Sequence, residues 1–128
     1  MKKIVFAVLL FWNFPLSASS VPDLEAVMKN MGFQFKQAAD ATTANEVLPY
    51  LYELTQLTQQ ATQAHFPEEK AVIYREGLDL VLAELQAAEQ AAATDDMAQV
   101  KIHLRQIDDL RKKYHKERRS SIWKLLFG

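Results

Sequence analysis

The sequence predicts an all-α protein, an antiparallel up-down-up-down four-helix bundle. Three observations carry this. The chain of 128 residues holds only 3 Gly and 4 Pro, far fewer turn formers than a sandwich or a doubly wound sheet uses. Its 17 Ala and 16 Leu, counted along the sequence, are strong helix formers. Apolar residues recur every three or four positions, and no stretch shows convincing alternation at period two. Hydrophobic residues at 49% and charged residues at 24% are a globular balance. The absence of cysteine excludes disulfides, zinc fingers, Fe–S clusters and covalent haem attachment.

Residues 1–20 read as an export signal. Lys2 and Lys3 form a basic start, and Ile4 to Trp12 is an apolar run of nine residues. That run is too short to span a bilayer, which needs about 20 residues. Pro15 breaks it, and Ser17, Ala18, Ser19 and Ser20 supply small residues for cleavage. The periplasm is the expected compartment. Cleavage would remove two Lys and no acid, leaving 13 basic and 16 acidic residues and a formal charge of −3. That balance argues against nucleic-acid binding.

Four helical segments follow. The first opens at Pro22-Asp23 and carries Leu24, Met28, Met31, Phe35 and Ala38 as one stripe. Thr43-Ala44-Asn45-Glu46 has the form of a capping box. It opens the second helix, with Val47, Leu51, Leu54 and Ala61 on one face and Pro49 inside it. His65-Phe66-Pro67 closes that helix, and Pro67-Glu68-Glu69 starts the third, whose stripe runs from Ala71 and Tyr74 through Leu78, Val81 and Leu85 to Ala88 and Ala92. Thr94-Asp95-Asp96 marks the fourth, carrying Met97, Val100, Leu104, Ile107, Arg111 and Tyr114. The fourth helix is expected to end near Arg119. Eight basic residues between Lys101 and Arg119, against three acids, give its end a positive excess.

Catalytic signatures are missing: there is no nucleophile elbow, no P-loop and no His-Glu-x-x-His. The Glu-x-x-His pairs of di-iron bundles are also absent. One pairing stands out. In this topology the start of the first helix lies beside the end of the fourth. Met28 and His115 then sit at matched heights, about 6–8 Å from the same end at 1.5 Å rise per residue. A thioether and an imidazole so placed can clamp a haem iron.

Three stretches resemble the soluble cytochrome b562 family. Pro22-Asp23-Leu24-Glu25-Ala26-Val27-Met28 resembles the family's mature N-terminus, with its ligand Met in place. Tyr74-Arg75-Glu76-Gly77-Leu78-Asp79 resembles a third-helix motif in which the family has His and Phe at the positions of Glu76 and Leu78. Arg111-Lys112-Lys113-Tyr114-His115-Lys116 resembles the family's Arg-x-x-Tyr-His ending, with its ligand His in place. The resemblance covers about residues 22–119. It implies a periplasmic carrier of single electrons, not an enzyme, that binds one non-covalent haem b between the first and fourth helices. Met28 and His115 are the implied iron ligands. Met31, Tyr74 and Leu78 would wall the porphyrin, and Arg111 and Arg119 would pair with its propionates. A monomer serving an unidentified redox protein is expected. The competing reading is a haem-free bundle that binds a protein partner.

Residues 120–128 are left over. Ile122, Trp123, Leu125, Leu126 and Phe127 make this tail apolar. It either folds back to cap the haem end or docks on a membrane or partner surface, with Lys124 assisting.

Overall fold

Helix-starting residues set the boundaries of all four elements in the computed structural model, which describes residues 23–127, with side chains to 116. The proposed signal residues 1–20 lie outside that range.

Asp23 caps α1 (Leu24–Asp40), its carboxylate accepting from the backbone N–H groups of Glu25 and Ala26. Thr43 caps α2 (Ala44–Thr62) by accepting from the Glu46 N–H at 3.2 Å. The box does not close reciprocally, because the Glu46 carboxylate takes the Thr42 hydroxyl instead. α2 continues through Pro49. Pro67 opens α3 (Glu68–Ala93) with an extended backbone. Asp95, at φ 59°, makes the left-handed turn into α4 (Met97–Phe127), and Asp96 caps it by accepting from the Gln99 N–H at 3.1 Å. No strand occurs among the described residues. α4 is longer than its expected end near Arg119: its 31 residues reach Phe127. From 117 to 127 there is no Gly or Pro to stop it, and Ser120-Ser121 is too weak a break.

The stripes become the core. Val47, Leu51, Leu85, Val100 and Leu104 are buried in one cluster with Ala38, Ala88 and Ala92. Val27, Leu57 and Ala61 form a second, smaller cluster nearer the start of α1. Thr58 is the buried polar residue among those described, and its hydroxyl donates to the Leu54 carbonyl one turn back. Between α2 and α3, the Thr55 hydroxyl donates to Glu89 at 2.7 Å. Between α3 and α4, His103 Nδ1 lies 2.7 Å from Glu84 Oε2.

Lys101 corrects the reading of the basic helix end. It lies in the first turns of α4, at the opposite end of the helix from that cluster, and its ammonium donates to the Ala39 and Ala41 carbonyls at 2.6 and 2.8 Å. These carbonyls belong to the end of α1, where a cation satisfies orphan acceptors and offsets the dipole. The start of α4 is thereby tied to the end of α1, as an antiparallel pair requires. Elsewhere these two helices barely touch. α1 with α2, α2 with α3 and α3 with α4 pack closely, whereas α1 and α4 diverge. That divergence positions the site.

Candidate functional site

A cavity of about 470 Å³ fills the space between the diverging helices. α1 lines it with Leu24, Met28, Met31 and Phe35, on the stripe that the sequence placed inward. α3 contributes Tyr74, Gly77, Leu78 and Val81, and α4 contributes Ile107, Leu110, Arg111, Tyr114 and His115. The lining is overwhelmingly apolar. Its size falls within the roughly 300–1,000 Å³ of small-molecule and cofactor pockets.

Six of the seven residues singled out from sequence line this one cavity: Met28, Met31, Tyr74, Leu78, Arg111 and His115. The side chain of the seventh, Arg119, lies outside those described. Met28 is half-buried on the α1 wall, and His115 is exposed at the α4 rim. Of the three histidines, His115 alone lines the cavity; His103 faces Glu84, and His65 is exposed in the α2–α3 connection.

Two contacts were not read from the sequence. The first is at Gly77, which is buried against the Tyr114 ring. A Cβ built on Gly77 would stand 2.8 Å from two ring carbons. Only glycine lets the ring lie on the α3 backbone, and that ring belongs to the residue immediately before His115. The second is Phe66, assigned from sequence only to the end of α2. It lines the cavity from the connection. Its ring meets Tyr74 edge-on, with centroids 5.3 Å apart, and the Arg75 guanidinium lies 5.6 Å from its centre. The signal was available: an aromatic between two helix-ending residues has to pack somewhere at that end.

Charge enters at the rim. Arg111 donates through Nε and Nη2 to Asp108 Oδ1 at 3.0 and 2.9 Å, and Lys112 reaches Oδ2 at 3.1 Å. The hydrogen bond from Lys112 is the largest influence on the Asp108 carboxyl; burial opposes it, and the hydrogen bond from Arg111 with both positive charges leaves the group below its ordinary value. Arg111 therefore enters the site already paired, so an incoming carboxylate competes with Asp108 for it.

The arrangement suits a large, flat, apolar group bearing a metal centre. Met28 offers a thioether from one wall and His115 an imidazole from the other, a ligand pair used by haem iron. No cysteine is present for covalent attachment. No group of three His, Cys, Asp or Glu that could hold a metal ion on its own occurs among the described residues. The donors thus fit a metal that arrives within a macrocycle.

Comparison with protein families agrees. The family model for cytochrome b562 matches residues 23–119. No significant match exists among curated proteins. The match covers α1, α2, α3, the part of α4 up to Arg119 and both donor residues, and the chain belongs to the cytochrome b562 family, helical bundles that bind b-type haem and carry electrons.

Proposed function

We propose that this protein is an exported periplasmic carrier of single electrons that holds one haem b non-covalently between α1 and α4, with Met28 and His115 as the axial ligands. The observation that carries this is the meeting of both donors, with Met31, Tyr74 and Leu78, on one apolar cavity at the α1–α4 seam. The export signal in residues 1–20 supports the compartment.

Bound haem supplies a one-electron iron couple. The chain's own residues do the rest. Met28 and His115, from two helices that the bundle holds apart, would together hold the iron, so that no substrate would bind it and no substrate bond would be made or broken. A Met/His set favours the reduced state relative to more basic ligands. Met31, Tyr74 and Leu78, with Phe35 beside them, would exclude water around the bound group, which limits reorganisation when charge changes. Arg111 would meet a haem carboxylate by exchanging part of its pairing with Asp108, and the family resemblance assigns Arg119 the same role.

Hemin added to the purified apoprotein tests the reading. A sharp low-spin spectrum is expected, and a merely broadened free-hemin spectrum would overturn it in favour of the haem-free partner-binding bundle. His115→Ala should weaken binding most. Met28→Ala should give a high-spin or differently ligated haem, unless Met31, one turn away, moves in. A Met28→Ala, Met31→Ala double variant with an unchanged spectrum rules out sulfur ligation.

A further inference from the structure

The cavity has one open side. Its exposed lining residues all come from two helices: Gly32, Lys36 and Ala39 on α1, Arg111 and His115 on α4. The parts contributed by α2, α3 and their connection are buried or half-buried. The mouth therefore runs along the α1–α4 seam, where the helices diverge.

Charge is distributed unevenly about that mouth. Lys29, Lys36, Arg111, Lys112, Lys113 and Lys116 are exposed beside it. The acids at this end of the two helices are Asp23, which caps α1, Glu25, Asp109 and Asp108, and Asp108 is already held by Arg111 and Lys112. The far end of the bundle has the opposite sign. Asp40, Glu46, Asp95 and Asp96 are exposed there, and Lys101 is engaged with α1 carbonyls. Glu76 and Asp79, with Arg75 among them, lie on the outer face of α3, along a separate shallow groove. A chain of formal charge −3 after removal of residues 1–20 is thus positive at its mouth and negative behind.

We propose that this basic mouth is the docking surface for the acidic face of a redox protein. The proposal rests on the haem reading, since it gives the partner a reason to approach this side. Opposite charges round a cleft raise encounter rates by 10- to 1,000-fold at low ionic strength, as a rough range, and the gain falls as salt is added. The apolar mouth between the cations supplies a surface that a short-lived partner covers and leaves.

Small oxidants of opposite charge separate local from overall charge. The full-length holoprotein, loaded with hemin and reduced, is mixed with ferricyanide or with a cationic tris-phenanthroline cobalt(III) complex, from ~10 to ~300 mM salt, a range over which the Debye length shrinks several-fold. The overall negative charge alone makes the ferricyanide rate rise with salt. The basic mouth makes it fall several-fold, and makes the cobalt rate rise. Polyaspartate, standing in for an acidic protein face, should slow ferricyanide oxidation at low salt only. The Lys29→Glu, Lys116→Glu double variant should keep the low-spin spectrum and reverse the ferricyanide slope. A rate rising with salt in the wild type, or a slope that the double variant leaves unchanged, overturns the proposal while leaving the haem reading intact. Failure to form the low-spin holoprotein overturns both. Sedimentation with phosphatidylglycerol vesicles, abolished in the double variant and unmatched by any polyaspartate effect, assigns the surface to lipid and overturns docking to a protein.

Discussion

Gly77→Ala and Gly32→Ala are the same chemical change in two helices of one bundle, and the structure gives them opposite signs. In a helix interior, Gly to Ala gains about 1 kcal/mol from backbone entropy and solvation. At Gly32 a Cβ meets nothing within 4 Å, so the whole gain is kept. Apoprotein melting should rise by about 4–8 °C for a domain of this size. At Gly77 the Cβ would stand 2.8 Å from two Tyr114 ring carbons and 3.0 Å from a third, where ordinary contact begins near 3.4 Å. The ring must retreat by roughly half an ångström or more, and overpacking of this kind costs about 1–3 kcal/mol. Tyr114 is half-buried, so it has room to move, which places the cost toward the lower end. The cost and the propensity gain nearly offset, and the apoprotein should lose about 0–1 kcal/mol.

Hemin binding should suffer more than stability does. Tyr114 precedes His115, and its ring lines the cavity. A displaced ring intrudes on the space for the porphyrin and shifts the helix turn that presents the imidazole. A tenfold loss of hemin affinity corresponds to about 1.4 kcal/mol, within what half an ångström of overpacking can impose. The assay is a hemin titration beside thermal melts of the apoprotein, for Gly77→Ala, Gly32→Ala and Gly77→Ala with Tyr114→Leu. The last should recover melting temperature, because a flexible side chain yields where a ring does not. The reasoning is refuted if Gly77→Ala stabilises the apoprotein as much as Gly32→Ala does and binds hemin as tightly as the wild type.

Thr43→Ala removes the hydroxyl that accepts from the Glu46 N–H and should cost about 1 kcal/mol in apoprotein urea melts, leaving the hemin spectrum unchanged. Asp108 has a folded pKa below its ordinary 3.8, so its contribution is present above that pH and lost as pH falls through the folded value. The melting temperature of Asp108→Asn should therefore lie below the wild type near neutrality and converge with it in acid; a constant gap from pH 7 to 2 would refute the linkage. Haem that binds only the folded bundle should raise its stability by about 4 kcal/mol at a thousandfold excess over Kd, and equal melts of apo- and holoprotein would refute a native haem site.

The helices and much of the core were legible because both depend on local spacing. Val47, Leu51, Leu54, Val81, Leu85, Val100, Leu104 and Ile107 recur at three- and four-residue steps, and all are buried. Starts were legible wherever a short polar residue has only one good use, as at Asp23, Thr43 and Asp96. Competition between partners was not. Arg111 and Asp108 are three residues apart, a spacing that permits a pair, but nothing local says that Asp108 rather than an outside carboxylate holds Arg111. Lys101 looked like part of a basic run, and its role depends on carbonyls some sixty positions earlier. Gly77 and Tyr114 face one another only because α3 and α4 pack in one register, which no spacing within either helix encodes.

Side-chain size explains why the cavity opens where it does. Helix separation follows the bulk of the residues at the contact. α1 carries Ala38 at its far end, with buried Ala41 just beyond, but Met28, Met31 and Phe35 towards its start. α3 runs the same way, from Ala88 and Ala92 to Leu78 and Tyr74. Small residues draw the bundle together at the end that Lys101 ties, and large ones hold it apart at the other. α2 has small buried residues at both ends, Ala44 at the closed end and Ala61, followed by Ala64, at the open end. It therefore stays close to its neighbours while α1 and α4 separate, and all the divergence falls on one seam. The larger core cluster lies mainly towards the closed end and does not depend on what fills the seam. A bundle graded in this way can keep its fold when the pocket is empty and still present two donors across it, which is what non-covalent capture of a rigid macrocycle requires.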